Sequence, residues 1–179
     1  MNKPKIGPRQ IVYQNPFFKV SSVQVQFPDA SKTLYVTHFG PRAGVLLLQG
    51  DNVLLVRQYR LLIHDFALEI PGGKVDDGET PETAARRECL EETGLRCLNL
   101  EPLLYYHPGL DVTDNPTWMF YCTQSESVPR QKLDPSEVAE QVWIPFSRCV
   151  DMVFDRQIVD CLSVAAILAW QVMKSRRHV

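Results

Sequence analysis

The stretch Gly72–Leu95, GGKVDDGETPETAARRECLEETGL, decides how the rest of the chain is read. Its second half carries helix signals at both ends. Thr80 suits an N-cap, and Pro81 then falls at N1, where no N–H is needed. Glu82 puts negative charge in the first turn, and Gly94 supplies a residue suited to the left-handed stop. The spacing predicts a helix from Pro81 to Thr93. Ala84, Ala85 and Cys89 are small enough to let it pack closely on a sheet. On that helix Glu88, Glu91 and Glu92 fall within roughly 100° of arc. Like charges three and four residues apart repel, so the cluster needs a partner; a solvated acidic face is the competing reading. A divalent cation removes the repulsion, and magnesium is usually held by one or two carboxylates plus waters and substrate phosphates. Upstream, Pro71-Gly72-Gly73 brings a bare backbone and its carbonyls toward the same place.

Gly73, Glu79, Arg87, Glu88, Glu91, Glu92, Gly94 and Leu95 match every defined position of the pattern G-x5-E-x7-R-E-U-x-E-E-x-G-U. That pattern is the Nudix box, and so many fixed positions at fixed spacing are highly specific. Cys89 stands where the family usually has a larger aliphatic, a packing variation. The chain resembles a Nudix hydrolase. The resemblance implies an α/β fold, an α/β/α sandwich with a mixed sheet, and metal-dependent cleavage of a nucleoside diphosphate linked to another group. It also implies that Gly72, Glu88, Glu91 and Glu92 hold Mg²⁺, with Mn²⁺ as the alternative metal, and that Arg87, Glu79 and Gly73 support them.

The formal net charge of −2 over 179 residues leaves no electrostatic footprint for nucleic acid. Five cysteines without paired spacing argue against a disulfide framework and for buried thiols in a reducing, cytoplasmic setting. No apolar run reaches membrane-spanning length, and Met1–Gln10, polar and basic, reads as a loose arm without a secretory signal.

Working outward, Ile11–Tyr13, Phe17–Phe27 and Thr33–Phe39 read as strands of a small antiparallel sheet that cannot bury both faces alone. The sequence divides here into an N-terminal sheet subdomain, 1–41, and a hydrolase domain, 42–179. In ADP-ribose pyrophosphatase-like members a comparable sheet exchanges across a dimer and lines the partner's base pocket. The resemblance therefore implies a homodimer with Phe17, Phe18 or Tyr35 as candidates to stack on a base; a core role is the competing reading for each. Ala43–Leu48 and Val53–Tyr59 form a hairpin around Gln49-Gly50-Asp51-Asn52. Arg57 and Arg60 end its second strand with forked donors suited to phosphate. The Gln58-Tyr59-Arg60 stretch is similar to one in ADP-ribose and sugar-nucleotide pyrophosphatases, where the arginine contacts substrate, so Arg60 ranks above Arg57. Glu69 is a candidate to hold a ribose hydroxyl or an arginine.

Beyond the helix, Leu98–Tyr106, Thr117–Thr123 and Val138–Ile144 read as strands, Phe146–Phe154 as a short helix and Gln157–Lys174 as an amphipathic closing helix. Trp143, Pro145 and Phe146 read as core. His107-Pro108-Gly109 is similar to a loop associated with ADP-ribose hydrolysis, which makes Gly109 a substrate-binding candidate. The resemblance also implies a loop acid near here as a metal ligand or the base for the attacking water, with Glu137 as the candidate and Glu140 as the alternative. ADP-ribose would yield AMP and ribose 5-phosphate. A GDP- or UDP-sugar, NADH, or a non-catalytic nucleotide-binding role on the same fold are the rival readings.

Overall fold

The computed structural model describes residues 3–129 and 138–177. In chain order the elements are β1 (Lys5–Gln14), β2 (Lys19–Gln26), β3 (Ser31–His38), β4 (Arg42–Gln49), β5 (Asn52–Arg60), β6 (Asp65–Glu69), β7 (Gly72–Lys74), α1 (Pro81–Thr93), β8 (Leu95–Cys97) and β9 (Glu101–Tyr106). There follow β10 (Thr113–Asp114), β11 (Thr117–Cys122), β12 (Ser125–Ser127), β13 (Glu140–Pro145), α2 (Phe146–Phe154) and α3 (Cys161–Arg177). Contacts divide the chain into two units. One holds the residues up to Pro41 with Tyr106–Pro116; the other holds Arg42–Tyr105 and the residues from Thr117 onward.

In the first unit β1, β2 and β3 form an antiparallel meander, and β10 adds in parallel beside β3. Along β2 the period of two is plain: Ser21, Val23 and Val25 are buried, Gln24 and Gln26 exposed. Lys5–Gln10, which reads as a loose arm, is instead part of β1, paired from Lys5↔Gln26 to Gln14↔Lys19. Gly7 and Pro8 disguise it. Pro8 falls in the register shift between Ile6 and Arg9, where its missing N–H does not interrupt the ladder.

Tyr106–Pro116, which the sequence division places in 42–179, groups with this unit. The Thr37 N–H donates to Val112 O at 2.8 Å, and the Phe39 N–H to Asp114 O at 3.2 Å. Ser21 Oγ lies 2.7 Å from His38 Nε2, and His38 Nδ1 lies 2.7 Å from Asp114 Oδ2. The order is that of a hydrolytic triad. Ser21 is completely buried, however, so the line is a strut tying β10 to β2 and β3.

In the second unit the sheet runs β13-β5-β4-β11-β9. The β4–β5 hairpin pairs only at Leu48↔Val53 and Gln49↔Asn52; beyond that β7 takes β4 as partner and β6 takes β5. β11 runs parallel to β4 and β13 antiparallel to β5, so the sheet is mixed. Along β4, Ala43 packs with Ala84 and Ala85 of α1, and Val45 and Leu47 pack with Cys89. Gly44, on the opposite face, meets α3: a Cβ there would lie 2.9 Å from Leu162 Cδ2. Helices thus cover both faces, the α/β/α arrangement that the resemblance implies. The unbroken buried run Val45–Leu48 is what such a doubly covered strand requires. Each of these aliphatics contributes about 1.5–3 kcal/mol by leaving water.

The closing helix starts at Cys161, later than its apolar spacing suggests, because Asp160 caps it. The Asp160 carboxylate accepts from the Ser163 N–H at 2.9 Å, and Arg156, with φ 60°, breaks the chain before it. Phe146 is core, as read, but Trp143 stays 39% exposed. Cys161 is exposed, unlike Cys89, Cys97, Cys122 and Cys149.

Candidate active site

The site is built on α1. Thr80 Oγ1 accepts from the Thr83 N–H at 3.1 Å, Pro81 opens the first turn, and Gly94, with φ 69°, closes the last by donating to Leu90 O. These caps fix which turn carries the acids. Arg87 binds them from within. Its Nε and Nη2 donate to the two oxygens of Glu79 at 2.9 and 3.1 Å. Nη1 reaches Glu88 Oε1 and Glu91 Oε2, each at 2.9 Å, and Nη2 also reaches Lys74 O. The bond from Arg87, with help from the Asp76 N–H, holds the Glu79 carboxyl below the ordinary range. Burial raises Glu88, with Arg87 opposing.

The glycine pair is required by space. A Cβ on Gly73 would run into the Glu88 carboxylate, and one on Gly72 would lie 2.6 Å from Ala43 O. The Gly72 N–H donates to Glu92 Oε2 at 2.9 Å. Glu92 itself is buried, and its other oxygen accepts from Gln58 Nε2 at 2.6 Å. Burial pushes its carboxyl up to about 7, although the Gly72 and Gln58 donors work against that.

From Gln58 the network continues. Its Oε1 accepts from Arg60 Nη2, and Arg60 grips Glu69 with Nε at 2.7 Å and Nη2 at 2.6 Å. Glu69 thus engages an arginine, one of the two partners read for it. Glu69, Arg60, Gln58, Glu92 and Gly72 are therefore one hydrogen-bonded line within one unit. Gln58 escapes a reading by motif, yet a signal existed: it lies in phase with Leu54 and Val56 on β5, all buried. Ser163 escapes in the same way. Its hydroxyl accepts from the Ile70 N–H at 2.9 Å and donates to Asp160 at 2.8 Å, steadying the chain just before Pro71-Gly72.

Arg57 Nε donates to Glu140 Oε2 at 2.8 Å across the β5–β13 pair, so those two candidates engage each other. Glu137 lies outside the described residues. Phe18 and Gly109 belong to the N-terminal unit. Phe18 packs between Tyr13 and Phe39, with ring centroids 5.6 and 5.4 Å away, while Phe17 and Tyr35 are exposed. Gly109 O accepts from the Thr113 N–H at 2.8 Å in a tight loop.

The residues suit a hard cation by donor type: carboxylates and backbone carbonyls. Glu92 adds a buried charge whose two recorded bonds come from neutral donors, the situation a cation relieves. Among the described residues no three acid, imidazole or thiol side chains are grouped as a finished ligand set, and Arg87 bonds both Glu88 and Glu91. The fit is one of donor chemistry and buried charge.

Acids held on a helix beside a bare glycine strand, on a mixed sheet covered on both faces, define an α/β protein with a carboxylate-rich site. The comparisons carry this further. The NUDIX domain matches residues 38–159, well over half the chain, and the chain belongs to that family. It is 28% identical over 149 residues to the ADP-ribose pyrophosphatase of Bacillus subtilis (strain 168), covering 83% of this chain and 80% of that protein. It is 26% identical over 162 residues to the CMP-5'-(N-acetyl-N-hydroxy-3-aminopropyl)phosphonate hydrolase of Streptomyces rubellomurinus, covering 89% and 78%. A solved structure, described as an ADP compounds hydrolase, matches with TM-score 0.86 over 99% of this chain and 97% of that one, at 19% identity, and establishes the shared fold.

Proposed function

We propose that the chain hydrolyses the pyrophosphate bond of ADP-ribose to AMP and ribose 5-phosphate, with Mg²⁺ (or Mn²⁺) as its metal, acting as a cytoplasmic homodimer. The observation that carries the reading is the single line joining Glu69 and Arg60 to Gln58, Glu92 and Gly72. It connects the residues suited to a substrate phosphate with those suited to a metal. The similarity to the ADP-ribose pyrophosphatase of Bacillus subtilis supports ADP-ribose as the substrate.

Glu88, Glu91, Glu92 and the Gly72 carbonyl would hold the metal, which when bound neutralises charge developing on the diphosphate. The chain's own residues do the rest. Arg87 holds Glu79, Glu88 and Glu91 in fixed rotamers despite their mutual repulsion. Arg60, already oriented by Glu69 and half exposed, offers its charge to a phosphate. In the reaction the oxygen of water bonds to one phosphorus and the bridging P–O bond breaks. The water's proton needs an acceptor, and Glu137 is the candidate; the alternative, Glu140, is engaged by Arg57.

The relative named as a CMP-phosphonate hydrolase favours a second reading, in which the same bond is cut between other end groups. A panel of ADP-ribose, GDP-mannose, UDP-glucose, CDP-choline and NADH, with and without Mg²⁺, separates the readings by liquid chromatography of the nucleotide products. AMP formed fastest from ADP-ribose supports the proposal. Faster release of GMP, UMP or CMP, or of AMP from NADH, moves the substrate. No product from any of them sinks the enzyme reading.

A further inference from the structure

Gln58 is the polar residue the reading by motif leaves without a role. It is 6% exposed, on a strand whose inward residues are otherwise apolar. A buried amide must satisfy both of its ends. Here the two ends are satisfied by unlike groups. A guanidinium can only donate, so Arg60 Nη2 compels the end it meets to be Oε1. The NH₂ end is thereby aimed at Glu92 Oε1, 2.6 Å away. A carboxyl oxygen facing an NH₂ group accepts, which agrees. The polarity of the amide is thus set from the Arg60 side and delivered to the Glu92 side. With the Gly72 N–H on its second oxygen at 2.9 Å, the Glu92 carboxylate has one donor on each oxygen and a fixed plane. Two bonds leave about half of its acceptor sites open to a cation.

We propose that Gln58 is a positioning residue for the metal site: locked by the Arg60–Glu69 ion pair, its amide holds the Glu92 carboxylate in the orientation that binds a divalent cation. The inference rests on the metal-site part of the proposed function and does not depend on which substrate is cleaved. It makes the strand bearing Arg60 a working part of the metal site.

The test uses Gln58→Met, which keeps length and volume and removes both polar ends, with Gln58→Leu as the second variant should the first fail to fold. Binding of Mn²⁺ alone, without nucleotide, is read from the free-ion electron paramagnetic resonance signal. Gln58→Met is expected to bind Mn²⁺ about tenfold more weakly than wild type, with its cooperative melt retained. In the Glu92→Gln background the same change should have no further effect, because the partner through which Gln58 acts is already altered. Unchanged affinity in a folded Gln58 variant overturns the proposal, and so does a loss that simply adds to that of Glu92→Gln. Wild-type protein that binds no Mn²⁺ overturns the metal-site reading itself, and the role of Gln58 with it.

Discussion

Arg87 shows how much one side chain organises. A guanidinium has five N–H groups, and its three nitrogens are recorded in bonds to Glu79 twice, Glu88, Glu91 and Lys74 O. Lysine has three donors on one nitrogen and cannot reproduce that fork. Arg87→Lys should therefore lower kcat by about tenfold or more, measured as AMP release, while the fold persists by circular dichroism; wild-type kcat would show that the fork is dispensable. The thiols offer a second residue-scale prediction. Burial pushes Cys149 up to about 11. Cys97 rises to about 12: the bond with Cys122 lowers it, but contact with Cys89 and burial outweigh that. The bond with Cys97, then burial, raises Cys122. Raised values mean that thiolate forms only at pH well above neutral. Cys89 is shut off from solvent by burial, so at pH 8 native protein should show one fast thiol toward a disulfide reagent, the exposed Cys161. Several fast thiols, or a fast signal surviving Cys161→Ser, would contradict this.

At the scale of elements, α1 was fully legible because all its signals are local. Thr80, Pro81 and Gly94 mark its ends within a few residues of the acids they position, and the helix runs from Pro81 to Thr93 as the spacing predicts. Thr80→Ala should cost about 1 kcal/mol of stability in denaturant unfolding; no change would mean the cap is idle. The line from Glu69 to Gly72 was legible only in pieces. Glu69, Arg60 and Glu92 stand out by chemistry, but the amide joining them is visible only once β5 is paired and α1 laid against the sheet. Ser163 is a stronger case, since its partner Ile70 is 93 residues away. Ser163→Ala leaves a buried N–H unsatisfied, a cost of about 1–3 kcal/mol. The chain entering Gly72 should loosen, so kcat should fall as well as the unfolding midpoint. A midpoint shift without loss of kcat would confine Ser163 to stability.

Across the whole molecule, what stayed hidden was pairing between distant segments. A two-residue parallel strand such as β10 has no periodicity to read, so Tyr106–Pro116 gave no sign of grouping with the N-terminal strands. The same unit leaves Ile6, Ile11, Val12 and Tyr13 of β1 more than half exposed, apolar side chains of the kind a partner covers. Sedimentation should accordingly give twice the 20.5 kDa chain mass; a monomer at micromolar concentration would remove the homodimer from the account. The box pattern and the helix of acids both lie in one continuous stretch, Gly72–Leu95, which is why the family was readable and the supports from distant segments were not. Whether those acids serve metal-dependent cleavage of a diphosphate is read from the rate of AMP release from ADP-ribose by wild type and Glu92→Gln, with Mg²⁺ and with EDTA. The account predicts equimolar AMP and ribose 5-phosphate from wild type with Mg²⁺, nothing with EDTA, and a rate at least about 100-fold lower for Glu92→Gln. Near wild-type turnover by Glu92→Gln, or turnover indifferent to EDTA, would contradict it.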